Sequence, residues 1–383
     1  MRRIYLDHAA TTPLDPAVFE AMRPYFTEKF GNASSVHDFG RQTRAALDES
    51  RETIARLLGA KPSEILFTSG GTESNNFALK GIAARMRLRG KNHLITSAAE
   101  HHAVLETCTF LGNNGCACTY LPVTGEGIPD PGALRKAIRP ETGLISLMHA
   151  NNETGSVSPL EEIAVIARGH GIPLHSDLVQ SFGKIPVDVE RMEIDLGSLS
   201  AHKIYGPKGI GALYIRRGTD IEQLLHGGGQ ERGRRAGTEN VPLAVGFAAA
   251  ATLICRDREE EQARLRRLRT MFLQKLTAAF PGLLVNGQPD AGVAGIISVS
   301  FPPERFPVDG DSLLFRLDLA GVAAASGSAC TSGSLSPSHV LLAMGRDTPT
   351  ARATIRFSLG RMTTEEDIGE TVSRLGEIIR RPV

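Results

Sequence analysis

The chain has 383 residues, 41% hydrophobic and 22% charged, with a formal net charge of +1. That length and balance suit a globular protein with a large core and more than one domain, and they leave no broad electrostatic footprint for nucleic acid or a membrane surface. No apolar run reaches the length of a membrane span, and five scattered cysteines, an odd number, fit a reducing compartment better than a disulfide framework.

Met1-Arg2-Arg3 leads to Asp7 and His8 without an apolar targeting segment, so a cytoplasmic location is expected. Short apolar runs then alternate with helical stretches. Ile65 to Ser69, His93 to Ser97, Leu144 to His149, Pro173 to Asp177, Leu196 to Ser200 and Ala212 to Ile215 read as strands. Glu73 to Arg89 and Pro159 to His170 read as helices, and Val241 to Cys255, rich in alanine, as a buried one. The alternation predicts an α/β fold with a mostly parallel sheet. A charged helix from about Arg256 to Lys275, strands at Ile296 to Ser300 and Thr354 to Ser358, and a terminal helix from Thr363 predict a second, smaller domain. The expected division is 15–257 for the large domain, and 1–14 plus 258–383 for the small one.

In a parallel sheet, ligands gather outside the carboxyl ends of the strands, and the unusual polar residues fall at those ends. Ser198-Leu199-Ser200-Ala201-His202-Lys203 closes an apolar strand on an amine suited to Schiff-base chemistry, and so to covalent tenure of a carbonyl cofactor such as pyridoxal phosphate. Gly70-Gly71-Thr72, between strand and helix, offers backbone amides and a hydroxyl to a phosphate. Asp177 could keep a pyridine nitrogen protonated, and Gln180 could hydrogen-bond a ring hydroxyl. His101 opens a helix whose dipole favours a neutral imidazole, fit for stacking and proton transfer. Asn151-Asn152-Glu153 adds amides at the same edge. Each segment alone also reads as something plainer: a surface lysine, a tight turn, an N-cap aspartate, a structural histidine. Neither G-x-x-x-x-G-K-[ST] nor G-x-G-x-x-G occurs between a strand and a helix, which disfavours an NTPase or a dinucleotide dehydrogenase.

Cys330 sits in Ser326-Gly327-Ser328-Ala329-Cys330-Thr331-Ser332-Gly333-Ser334, where little is bulky enough to anchor a core. An exposed nucleophilic thiol on a mobile loop is expected, a small buried residue in a turn being the alternative. Cys108, Cys116, Cys118 and Cys255 read as structural. No metal site is expected, because Cys116-Ala117-Cys118 lacks zinc-motif spacing and H-E-x-x-H is missing.

These segments, with Tyr5-Leu6-Asp7-His8-Ala9-Ala10-Thr11-Thr12, Phe30-Gly31-Asn32-Ala33-Ser34-Ser35, Gly71-Thr72-Glu73-Ser74-Asn75, Met148-His149-Ala150-Asn151-Asn152-Glu153 and Arg234-Arg235-Ala236-Gly237-Thr238-Glu239-Asn240, closely resemble the cysteine desulfurases. The resemblance runs from Tyr5 to about Gly360, and the long serine-rich cysteine segment, about 325–338, is similar to that of the NifS and IscS branch. It implies the fold-type I architecture of pyridoxal 5'-phosphate transferases, class V aminotransferase type, and a homodimer. Lys203 would hold the cofactor covalently, Asp177 pair with the pyridine nitrogen, Gln180 and Asn152 contact ring substituents, and His101 stack on the ring. Gly71, Thr72, Ser200 and His202 would form the phosphate cradle, with Thr238 reaching it from the partner subunit. Arg356, with Asn32 and Asn152, would bind the carboxylate of L-cysteine.

The activity implied is conversion of L-cysteine to L-alanine, with Lys203 moving the α proton, His101 as acid or base, and Cys330 taking the sulfur as a persulfide. An iron-sulfur scaffold or thiolation carrier would receive it. A selenocysteine lyase or aminotransferase of the same fold would share Lys203 and Asp177, and a non-catalytic assembly subunit is the reading from another class. Four positions depart from the family pattern. Leu178-Val179 stand where smaller residues are usual and would crowd the rear of the ring, Ala201 replaces a glycine, and Ser336 stands where a glutamate is common.

Overall fold

The computed structural model describes residues 2–288, 290–306, 308–326 and 336–380. Among them are twelve strands: β1 Ile4–Tyr5, β2 Ile65–Thr68, β3 His93–Ser97, β4 Ala117–Leu121, β5 Thr142–Ser146, β6 Leu174–Asp177, β7 Leu196–Ser200, β8 Gly211–Ile215, β9 Leu284–Asn286, β10 Ile296–Ser300, β11 Val322–Ala323 and β12 Thr354–Ser358. Seven of them form the main sheet in the order β2-β8-β7-β6-β5-β3-β4. Strands β4, β3, β5, β6 and β7 run parallel, while β8 is antiparallel to both β7 and β2. The carboxyl ends of β2, β3, β5, β6 and β7 therefore share one edge.

Helices cover both faces, so the strands are apolar on both sides and successive residues serve opposite cores. Leu94 and Leu144 pack with Phe77, Ile82 and Val104 of the helices Gly71–Arg87 and His102–Asn113. Ile95, Ile145 and Leu199 belong to the other core, with Leu47, Ile163 and Phe247 from the helices Asp38–Leu58, Leu160–Gly169 and Val241–Arg256. Within the sheet a polar row is satisfied across strands: His175 Nδ1 pairs with Ser146 Oγ at 2.8 Å and Nε2 with Ser198 Oγ at 3.0 Å.

A separate apolar cluster lies toward the C-terminus. There the antiparallel strands β12-β10-β9 pack Ile297, Val299, Ile355 and Phe357 against Phe272 and Leu276 of the helix Arg258–Ala279 and Leu375 of the helix Glu365–Arg380. The two-residue alternation that buries Ile355 and Phe357 turns Arg356, opposite Ser298 in register, to the other face. Strand β1 joins this region by pairing with β11.

The expected strand over Leu144 to His149 lies two residues earlier at its start and ends at Ser146. Leu147 and His149 still donate to the carbonyls of His175 and Asp177, but on the other side β3 has ended at Ser97. Strand β4 was not anticipated, because an edge strand of half-exposed small and polar residues carries little hydrophobic pattern. Nor was the helix Asp38–Leu58.

Leu199 is fully buried in the strand that ends beside Lys203. Its replacement by alanine is expected to lower unfolding stability in urea by about 2–5 kcal/mol. A loss below about 1 kcal/mol would contradict tight packing under that strand end.

Candidate active site

Five strand ends and one N-terminal segment build the site. After β2, Gly70 adopts φ 154°, a region that only glycine takes readily. Gly71 then opens the helix Gly71–Arg87 where an added Cβ would stand 2.8 Å from Val179 Cγ2. The turn is fixed by Glu73, whose Oε2 accepts from Ser69 N at 2.7 Å and whose Oε1 accepts from Arg235 at 2.9 Å. Thr72 in this first turn shares an open cavity with Ser200, His202 and Lys208. Amides at the start of a 17-residue helix, two hydroxyls and two basic side chains form a donor set that fits a phosphate.

The adjoining cavity, about 190 Å³, is lined by Asn75, His101, Asp177, Gln180, Lys203 and Arg356, with Gly71, Thr72, Asn152, Ser200 and His202 at its margins. Asp177 ends β6 and is 7% exposed; its Oδ2 accepts from Asn75 Nδ2 at 2.7 Å and its Oδ1 from Val179 N at 2.9 Å. Two donors therefore converge on one carboxylate beside the cavity and fix its orientation, leaving it placed to accept from a ring nitrogen. Asn75, one turn into the helix that Gly71-Thr72 opens, is a site residue to which the sequence motifs alone assign no role.

His101 caps the helix His102–Asn113, its Nδ1 accepting from Ala103 N at 3.0 Å. A lone pair is needed there, so the neutral tautomer with Nε2–H is fixed. Burial lowers its pKa further, with Lys203, His102 and His339 adding to the effect and Asp177 opposing it. Behind it Glu100 is buried, and Oε1 accepts from Met148 N at 2.6 Å. Burial pushes this carboxyl well above the usual range, with Asp177 adding to the rise and the bond from Met148 opposing it.

The segment Asp7 to Thr12 crosses over these strand ends. Ala9 O accepts from Gln180 Nε2 at 2.9 Å and from Lys203 Nζ at 2.8 Å, and Ala10 O accepts from Lys203 at 2.6 Å. Thr11 Oγ1 pairs with His202 Nδ1 at 3.1 Å. Arg356 donates to Asp7 Oδ1 at 2.8 Å and to Asn152 O at 3.0 Å, while its buried Nε has no partner among the described residues. A guanidinium held on one side with a donor remaining can take a carboxylate on the other.

Not every expected residue enters. Asn32 is exposed, accepts from Ser34 N at 2.8 Å and lies outside the cavity, as does the exposed Thr238. Cys330 lies outside the described residues. Its flanks do not: Ala325 forms an antiparallel bridge with Arg356, Ser338 Oγ donates to the buried Glu153, and His339 Nε2 pairs with Glu100 O at 2.8 Å. The expectation that Leu178 crowds the ring is corrected: Leu178 is fully buried in the core and packs over Gly197, so only Val179 lines the cavity. Ala201 is likewise core, beside Gly206.

Burial pulls His175 down to about 3 and His149 and His202 to about 4, nearby cations adding to the effect at His202. Their folded values lie below the unfolded value near 6.5, so the unfolded chain takes up protons first as pH falls. That stability is whole above about pH 6.5 and is lost progressively toward pH 4. Glu153 and Glu100, raised by burial, act in the opposite sense above about pH 4.5. Urea unfolding from pH 7 down to 4.5 should show falling stability, with a shallower fall in His175→Gln; an unchanged slope in that variant would contradict the buried neutral imidazole.

The aminotransferase class-V family model matches residues 4–370. The chain is 50% identical over 380 residues to the cysteine desulfurase IscS of Dictyoglomus turgidum, covering 99% of this chain and 95% of that protein. Among solved structures it is similar to a NifS-like protein at a TM-score of 0.92 and 38% identity, with 99% of each chain covered. It is also similar to SspA in complex with cysteine, at 0.82 and 40%, covering 93% of this chain and 98% of that one.

Proposed function

Because the chain belongs to the aminotransferase class-V family, and within it to the cysteine desulfurases, we propose that its strand-edge cavity binds pyridoxal 5'-phosphate and that Cys330 receives the sulfur of L-cysteine. The observation that carries this reading is the convergence of Lys203, Asp177, His101 and Arg356 on one cavity beside a helix N-terminus. Gly71, Thr72, Ser200 and His202 would hold the phosphate, Lys203 the carbonyl carbon, Asp177 the ring nitrogen, and Gln180 and Asn152 the ring substituents, with His101 against the ring. When bound, the cofactor supplies an electron sink for the pair left by the substrate's α C–H bond.

Arg356 clamps the substrate carboxylate through its guanidinium, with Asp7 fixing its far side. Lys203 moves the α proton, its amine steered by the carbonyls of Ala9 and Ala10. The neutral His101 presents Nε2, the ring position that its capping bond leaves for proton exchange. The Cys330 thiolate attacks the substrate sulfur: the new S–S bond forms, the Cβ–S bond breaks, and its electron pair stays with the carbon fragment, which takes up protons and leaves as L-alanine.

The working unit is a homodimer in the cytoplasm, with Thr238 completing the partner's phosphate site and an iron-sulfur scaffold or thiolation carrier accepting the sulfur. Supporting the dimer, Phe26, Phe30, Val36 and Phe39 expose apolar surface in the segment that holds Asn32. The loop bearing Thr238 is pinned by the buried pair Arg51–Glu231 and by Arg44–Glu239. No helix among the described residues is long and apolar enough to cross a membrane.

Cys330→Ala is expected to abolish alanine and sulfide formation from cysteine while the visible cofactor band stays intact; alanine release at the wild-type rate would overturn the nucleophile. Arg356→Lys should raise KM for cysteine by about ten-fold or more with a smaller change in kcat, because one bidentate donor pair becomes a single point charge.

A further inference from the structure

Lys184 is a cation that the mechanism leaves unused. It closes the turn after β6, four residues beyond Gln180, and its Nζ donates to Gln180 Oε1 at 2.5 Å. The turn is tight enough to bring it there because Gly183 has φ 77° and presses on the helix Val241–Arg256, where an added Cβ would meet Ile254 Cγ2 at 2.7 Å. Protonated Lys184 only donates and Ala9 O only accepts, so the two bonds together fix the side-chain amide of Gln180: oxygen toward Lys184, nitrogen toward Ala9 O and the cavity. Ala9 O also accepts from Lys203. Lys184, Gln180, Ala9 and Lys203 thus form one chain of hydrogen bonds, and both amines line a small cavity of about 40 Å³ behind the site.

The placement is costly for a lysine. Burial, with the cations of Lys203 and Arg356, pulls its amine down to about 7. His8 and His202 feel its charge in turn, and Glu261 lines the same small cavity. A merely structural side chain at this point would be better apolar.

We infer that Lys184 is a positioning residue which, through Gln180, aims an amide hydrogen at the ring oxygen of the cofactor and sets the proton affinity of the Lys203 nitrogen bonded to it. This rests on the cofactor reading above. Removing Lys184 takes away a nearby positive charge and lets the Gln180 amide turn over, and both changes favour a proton on that nitrogen.

The test is a pH titration of the visible absorbance of the cofactor-loaded enzyme, together with the rate of cofactor loss on dilution. Lys184→Met should move the titration midpoint upward by about one pH unit and release cofactor about ten-fold faster, and Lys184→Arg should restore both. If the methionine variant fails to fold, Lys184→Gln keeps a donor for Gln180 without the charge; it should still raise the midpoint while retaining cofactor. A midpoint unchanged in a folded Lys184→Met or Lys184→Gln, with only a lower Tm, would overturn the proposal and leave the cofactor reading standing. A wild-type protein with no visible band that borohydride fixes to the Lys203 peptide would overturn both.

Discussion

The path of Asp7 to Thr12 across the strand ends is the constraint on which the site depends. Two carbonyls of this segment, Ala9 O and Ala10 O, take the Lys203 amine, and one of them also takes Gln180. Its side chains hold Arg356 through Asp7 and His202 through Thr11, and Thr12 Oγ1 accepts from Tyr205 N at 2.7 Å. The same stretch leaves β1, which pairs with β11, and meets β12 at Ser358. A few backbone groups therefore tie the C-terminal sheet to the main one, and Arg356 of β12 to Lys203 beyond β7. Bonds to buried charged groups are among the stronger ones, and leaving such groups unmatched would cost more than any single contact contributes.

Charge inside the site is handled by type. Asp177 is held in place by two donors, whereas burial raises the Glu100 and Glu153 carboxyls and so favours their neutral forms. Histidines near the sheet edge are held neutral: His101 by its capping bond and burial, His202 by burial and neighbouring cations. Anions and cations are thus placed where a zwitterionic substrate and a phosphorylated ring would meet them.

The strand positions and most of the cavity were legible because they follow from local rules. Apolar runs ending in polar residues marked β3, β6 and β7, and a glycine pair before a helix marked the start of the helix Gly71–Arg87 beside the cavity. Edge strand β4 was hidden by its half-exposed composition. Neighbours at a strand end face opposite ways, and only the packing beside Gly197 shows that Leu178 turns into the core while Val179 lines the cavity.

By itself the sequence determined the chemistry available: a lysine, an aspartate and a histidine at the carboxyl ends of parallel strands, and a thiol in a small-residue segment. Which groups meet was decided only by the tertiary structure. Asn75 reaches Asp177 across 102 residues, Asp7 reaches Arg356 across 349, and Lys184 turns back on Gln180. The physical reason is that spacing along a chain fixes which face a side chain takes within one element, whereas hydrogen bonds between elements depend on how sheets and segments pack, which no local periodicity encodes.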